Sequence, residues 1–243
     1  MSRRLFWIAV VAGLTLLTPK AYAHSSPRWR SCTTGNPDVD WDQQIRSCSA
    51  LIQSGRETRH RRAVAYNDRG IAYATKGDPD RGIADFSEAI RLDPKDAVVY
   101  RNRGKAYDAK GDHDRAIADL DQAIRIDPKF ADAYNTRCWV RAVIGRDLAQ
   151  ALADCNESLR LRPDDANMIN SRGLVQFKLG AFDRAIADYS AAIAGNAKSA
   201  GSFYGRGVAK LRNGDTAGGD ADIATAKAIR ADIATVYAGY GVK

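Results

Sequence analysis

Histidine is scarce in this chain: His24, His60 and His113 are the only three among 243 residues. Three are few for a hydrolase or a metal enzyme, and none stands beside a second ligand at metal spacing. Cysteine is nearly as scarce, and the four present form no Cys-x-x-Cys. Neither a Gly-rich phosphate loop nor a Gly-x-Ser-x-Gly turn occurs, so nothing points to phosphoryl transfer or a nucleophilic serine. Seven prolines and 20 glycines exclude collagen-like and Pro-rich low-complexity chains. With 45% hydrophobic residues the chain is too apolar for disorder. A mean hydropathy of −0.40 is too polar for several membrane spans. The expectation is a non-enzymatic protein with no cofactor and no metal.

One long apolar or small run is present, Leu5 to Leu17. Arg3 and Arg4 precede it, Pro19 breaks it, and Ala21-Tyr22-Ala23 follows. This layout predicts a signal peptide over residues 1–23. Its thirteen residues span about 20 Å as a helix, short of the roughly 30 Å hydrocarbon core, which argues against a retained anchor. Cys32 lies nine residues beyond Ala23, too far to take a lipid at the junction. Cleavage would remove three basic residues and no acidic one, so the net charge would fall from +8 to +5 (8 − 3). The expected product is exported, periplasmic or secreted, with no integral membrane segment. In such a compartment an even number of cysteines reads as disulfides. Two local bridges are the economical arrangement, but four cysteines allow three pairings, and spacing does not choose among them.

Self-comparison reveals a repeat. Tyr66-Asn67-Asp68-Arg69-Gly70-Ile71-Ala72-Tyr73 returns 34 residues later as Tyr100-Arg101-Asn102-Arg103-Gly104-Lys105-Ala106-Tyr107. Shorter echoes are Tyr134-Asn135-Thr136-Arg137-Cys138, Ile169-Asn170-Ser171-Arg172-Gly173 and Phe203-Tyr204-Gly205-Arg206-Gly207. A glycine follows in each copy, at Gly77, Gly111, Gly145, Gly180 and Gly214, and then a second amphipathic stretch. The units are 63–96, 97–130, 131–165, 166–199 and 200–233, with one residue inserted near Asp147 in the third. Apolar and small residues at three- and four-residue spacing, such as Ile83, Phe86, Ala89 and Ile90, predict helix, turn, helix in each unit. The prolines of Asp93-Pro94, Asp127-Pro128 and Arg162-Pro163 stop the second helices.

The aromatic–x–x–x–Gly–x–x–Tyr start, the later Ala and aromatic, and the closing Asp-Pro resemble the tetratricopeptide repeat. The Asn/Ser-Arg-Gly-x-Ala-Tyr wording is similar to a subtype common in bacterial exported proteins. The resemblance covers 63–233 and implies an all-α fold, a right-handed α-solenoid of about five helix pairs. Departures are Gly82 and Gly219 for Ala, Ala197 and Ala231 for Pro, and Gln176 and Lys210 for Tyr, which loosen units four and five. Residues 24–62 read as an N-terminal half-repeat cap, and 234–243 as a tail that covers the last unit with a short helix.

Each unit carries an Arg and, sixteen or seventeen residues later, an Asp: Arg69/Asp85, Arg103/Asp119, Arg137/Asp154, Arg172/Asp188 and Arg206/Asp222. Constant pairing of this kind reads as structural ion pairs between packed helices. Arg56, Arg59, His60, Arg61 and Arg62 read as a solvated connector; nucleic acid is disfavoured, since no aromatics are interleaved. Asn156-Glu157-Ser158 matches a glycosylation sequon but falls mid-helix. Cys138 replaces the glycine, and Cys155 the large apolar residue, at places that face each other in one unit. A Cys138–Cys155 bridge is therefore expected, beside a Cys32–Cys48 bridge that staples the cap.

The resemblance further implies that first helices line a concave groove. Carried over by position, its residues are Asn67, Ile71, Arg101, Lys105, Asn135, Trp139, Asn170, Leu174, Phe177, Lys178, Tyr204, Leu211 and Arg212. The Asn side chains suit a peptide backbone, Trp139, Phe177 and Tyr204 are aromatic anchors, and Arg101 and Lys105 suit an acidic or C-terminal carboxylate. The expected function is an exported protein-interaction scaffold that binds a peptide or helix. The alternative is an accessory subunit that binds a glycan or cell-wall polymer.

Overall fold

The computed structural model describes residues 26–33, 35 and 37–242. The expected signal peptide, residues 1–23, and His24 lie outside the described residues. Among the described residues there are thirteen helices and no strand. A short helix α1 (Pro27–Cys32) and α2 (Trp41–Gln53) precede five antiparallel pairs. The pairs are α3 (Arg59–Thr75) with α4 (Pro79–Leu92), α5 (Ala97–Ala109) with α6 (His113–Ile126), and α7 (Ala131–Ile144) with α8 (Leu148–Leu161). Then come α9 (Ala166–Lys178) with α10 (Phe182–Gly195) and α11 (Ala200–Arg212) with α12 (Thr216–Ile229). A last helix, α13, spans Ile233–Gly239. The architecture is an all-α solenoid of stacked helix pairs.

Local chemistry accounts for the boundaries. Asp78 accepts from the Arg81 amide at 3.0 Å and Asp112 from the Arg115 amide at 3.2 Å, which caps α4 and α6. Asp96 and Asp165 cap α5 and α9 in the same way. The turn inside each pair needs a left-handed residue, and Gly77 (φ +85°) and Gly111 (φ +77°) supply it. Asp147, next to the inserted residue, is left-handed at φ 53° without being glycine. Asp93 and Asp127 are extended before their prolines. Asn196 and Arg230 take the same conformation before Ala197 and Ala231, so the turn forms in pairs four and five without proline. At Lys210, which stands for the family's tyrosine, the ammonium reaches Asp222 at 2.9 Å.

Helix α3 begins at Arg59, earlier than the repeat phase predicts, so 59–62 of the basic run is helical; Arg56, Arg59 and His60 are exposed, while Arg61 and Arg62 are half-buried. Thr58 caps it, accepting from the Arg61 amide at 3.2 Å. Arg59 donates to the carbonyls of Leu92 and Arg91 at 2.8 and 3.2 Å, at the negative end of α4. Arg61 lies 4.9 Å over the Trp29 ring and pairs with Glu57. The run therefore clamps the cap onto the first pair.

Within each pair the helices cross closely. A Cβ on Gly70 would stand 2.8 Å from the Phe86 ring, and one on Gly207 2.9 Å from the Gly219 carbonyl. In the third pair Cys138 and Cys155 are joined by a disulfide, and Cys32 and Cys48 form another that links α1 to α2.

Each conserved-phase arginine engages its aspartate with both prongs. Arg103 Nε and Nη2 donate to Asp119 at 2.8 Å each, and Arg69 to Asp85 at 2.7 Å each. Arg137–Asp154, Arg172–Asp188 and Arg206–Asp222 repeat the geometry. The remaining Nη1 reaches back to the second helix of the preceding pair. Arg69 meets Ser49 at 2.9 Å, Arg103 meets Ser87 at 3.0 Å, and Arg137 meets Asp121 at 2.6 Å. Arg206 meets Ser190 at 3.2 Å, and Arg172 has the longest contact, 3.5 Å to Asn156. Each guanidinium thus ties three helices.

Two outcomes follow for stability. Asp119→Ala leaves the Arg103 fork mostly buried without its carboxylate and lowers the unfolding free energy by about 2–3 kcal/mol, the buried-pair penalty discounted for partial exposure; Arg103→Met together with Asp119→Leu recovers most of it. Urea denaturation of the three proteins checks the order. Oxidised protein shows no reactive thiol in denaturant, and reduction costs about 3 kcal/mol per bridge for loops of this length. Four titratable thiols before reduction would contradict both bonds.

Candidate functional site

Consecutive first helices touch one another, α3 with α5, α5 with α7, α7 with α9 and α9 with α11. Among the described residues the second helices make no such contacts with each other, so the first helices form the inner side of the curve. This face has two halves of different character.

The half over α3, α5 and α7 is open. Arg101, Lys105, Asn135 and Trp139 line a cleft of ≈340 Å³ together with Asp108 and Thr136. Arg101 and Lys105, one turn apart on α5, also line a neighbouring cleft of ≈620 Å³ that reaches Ile71 and Phe86. No carboxylate among the described residues bonds to either cation. Asp132 is taken by Arg162, and Asp108 faces His113 Nδ1 at 2.9 Å. Arg101 Nη1 donates only to the Asn102 side-chain oxygen at 3.2 Å, and Asn102 in turn donates to Asn67 at 3.0 Å. Arg101 Nε and Asn135 Oδ1 are buried with no hydrogen-bond partner. Burial pushes the Lys105 ammonium below its ordinary range, and the neighbouring Arg101 charge pushes it further. Burial likewise lowers Arg101, against the pull of Asp132. Two neighbouring cations with no carboxylate partner among the described residues, Lys105 exposed and Arg101 half-buried, therefore line one concavity, which suits an incoming carboxylate.

The half over α7, α9 and α11 is filled by α13. This helix does not stack as a further first helix; it turns inward across the curve. Its Tyr237 ring packs on Tyr204 of α11 with centroids 5.1 Å apart. The Tyr240 ring, at the residue that caps the helix's C-terminus, meets Trp139 of α7 edge-on at 5.2 Å. Gly241 lies against the Lys178 ammonium of α9, close enough that a Cβ would stand 2.8 Å from it. Gly201 of α11 is as tight against the Tyr237 hydroxyl. The Tyr237 phenol is raised by burial, with Asn170 bonding to it in partial compensation.

The expected groove residues are therefore placed differently from one another. Asn67, Ile71, Arg101, Lys105, Asn135 and one side of Trp139 belong to the open half. Leu174 is fully buried and Tyr204 is 8% exposed, both in the apolar cluster that contains Tyr237 and Val242, so neither lines open surface. Asn170 accepts from Ser202 at 2.8 Å as well as meeting Tyr237. Phe177 packs on Phe182 at 5.6 Å, and Leu211 against the Gly219 backbone, so both face inward between helices. Arg212 is exposed at the end of α11. No group of three or more His, Cys, Asp or Glu among the described residues could hold a metal. No described helix is long and apolar enough to cross a membrane.

Repeat phase alone could not reveal the inward turn of α13. A signal for it did exist: Ile233, Tyr237 and Tyr240 at i, i+4 and i+7 form one apolar stripe. The third arm of the last four arginines also had a signal, a polar residue two places after each of the first four aspartates: Ser87, Asp121, Asn156 and Ser190.

A search of curated proteins found no relative. Among solved structures, YrrB, described as a TPR protein with an unusual peptide-binding site, is 19% identical with a TM-score of 0.56, covering 77% of this chain and 94% of its own. PilW, described as a widely conserved type IV pilus biogenesis factor, is 20% identical with a TM-score of 0.65, covering 69% and 77%. A tetratricopeptide repeat protein from Parabacteroides merdae ATCC 43184 is 15% identical with a TM-score of 0.65, covering 82% and 81%. At these identities the likeness is one of fold. The family model for the tetratricopeptide repeat matches residues 67–130, 141–200 and 170–219, more than half of the sequence. The five pairs, their glycine turns and their inner face of first helices are thus those of a chain that belongs to the tetratricopeptide repeat family.

Proposed function

We propose that this protein is a non-enzymatic, exported interaction scaffold whose concave face binds another protein through a peptide or helix. The unit boundaries proposed are 63–96, 97–130, 131–165, 166–199 and 200–233, in the subtype similar to bacterial exported repeats. One observation carries the binding reading: Arg101 and Lys105 share a cleft with Asn135 and Trp139, and no carboxylate among the described residues is bonded to either cation. Two like charges side by side with no internal counter-ion attract an anion. A partner's acidic side chain or C-terminal carboxylate would complete them, while its backbone meets Asn135 and an apolar side chain meets Trp139. YrrB, a neighbour in fold, is described as having a peptide-binding site, which supports the class of ligand. Export is supported by the two disulfides and the apolar run before Ala23. Nucleic acid is not the proposed partner.

Crosslinked capture from the native exported fraction, with the bound protein identified by mass, tests this. Arg101→Ala with Lys105→Ala should reduce capture at least tenfold, about 1.4 kcal/mol, with the thermal midpoint unchanged. Raising the salt should weaken the wild-type complex, because the contact is between charges. Undiminished capture by a folded double variant would remove the open half-groove as the binding surface. Retention on purified cell wall that ignores both substitutions would move the function to polymer binding.

A further inference from the structure

The last helix occupies the surface that the first helices build for a ligand. It is only seven residues long, and it joins α12 through a short link, Arg230–Asp232. A helix of that length has no stability of its own in water, so contacts with the groove are what hold it. Most of those contacts come from one stripe, in which Ile233 and Tyr237 are buried and Tyr240 meets Trp139 edge-on, while Val242 beyond the helix is buried in the same cluster. The stripe crosses three first helices, from Tyr204 on α11 to Trp139 on α7, two repeats back. An adjacent terminal helix that merely closed the stack would meet the last pair alone. Helix α13 also runs toward the open half, since Trp139 borders the cleft that holds Arg101 and Lys105.

We propose that α13 is a resident stand-in for the partner: the apolar half of the groove is a helix-docking surface, and a partner helix that carries an apolar residue with aromatics four and seven places on displaces α13 from it. Such a helix, if longer than α13, continues past the position of Tyr240 toward α5. Each further residue advances it by about 1.5 Å, which brings an acidic residue one or two turns on toward Arg101 and Lys105. The proposal rests on the concave-groove reading above and adds the partner's pattern and the competition. Because α13 is tethered, its effective concentration at the groove is on the order of millimolar. A ligand in solution sees only the fraction of molecules whose groove is open, and its apparent affinity falls by that fraction.

The probe is a fluorescent synthetic peptide that copies residues 230–243, offered to the full-length protein. Wild type should bind it weakly. The full-length variant Tyr237→Ala/Tyr240→Ala, whose own tail no longer fills the site, should bind it at least tenfold more tightly. A peptide with both tyrosines replaced by alanine should bind neither. Equal affinity for wild type and a natively folded variant would overturn the proposal. Hydrogen exchange on the unmodified protein gives a second reading that needs no variant. Amides of α13 should exchange faster than those of α9 and α11, through opening of the tail alone. Exchange of α13 only with global unfolding would make it a permanent part of the core and overturn its displacement. If the tail peptide fails while capture still depends on Arg101, the groove survives as a binding surface and only the competition is lost.

Discussion

Five guanidinium groups, at Arg69, Arg103, Arg137, Arg172 and Arg206, set how one helix pair sits on the next. Apolar burial has no direction, and stripes of alanine, isoleucine and leucine would let stacked helices slide by a turn at small cost. A planar fork that meets a carboxylate with two donors does not allow that slide. The fork fixes the crossing inside a pair, and its remaining nitrogen fixes the offset to the pair before. At Arg69 and Arg103 aromatic rings three before and four after, such as Tyr100 and Tyr107, lie within 6.0 Å of the guanidinium carbon and shield it from water. Buried ion pairs add little net stability compared with apolar packing, but they specify register, which a solenoid needs at every interface. The series ends by the same rule. Ala224 stands two places after Asp222, where the earlier pairs offer a polar acceptor, so α12 presents nothing for a sixth arginine.

What could be read from sequence was what repeats. The 34-residue phase places α5, α7, α9 and α11, and the constant Arg/Asp spacing anticipates contacts that the structure contains, because each unit meets the same neighbours. The non-repeating ends were harder. Residues 59–62 carry no repeat signature, yet Thr58 can cap a helix there and the α4 carbonyls reward Arg59, so α3 starts early. Gln176 and Lys210 depart from the family's tyrosine, and position alone suggests a weaker unit. The Asp222 carboxylate instead gives Lys210 a partner. Substitution by a charge is tolerated where an ion pair is already in place to receive it. Leu174 and Tyr204 occupy groove positions by number, but burial depends on what lies over them, and that is set by a segment outside the repeat.

The division of the concave face follows from its composition. Over α5 the inner residues are Arg101 and Lys105, which can face water without penalty to solubility. Over α9 and α11 they include Leu174 and Tyr204, which left bare would add to an exposed apolar patch. A solenoid cannot bury such a patch by stacking alone, since stacking covers the flanks of each pair and leaves the inner curve exposed. Something must lie across it. Here the covering element is the chain's own α13, whose aromatic stripe matches the patch, while the cationic half stays uncovered. The two halves therefore differ in what a ligand must do: it enters the first by neutralising charge, and the second only by replacing contacts that the protein already makes with itself.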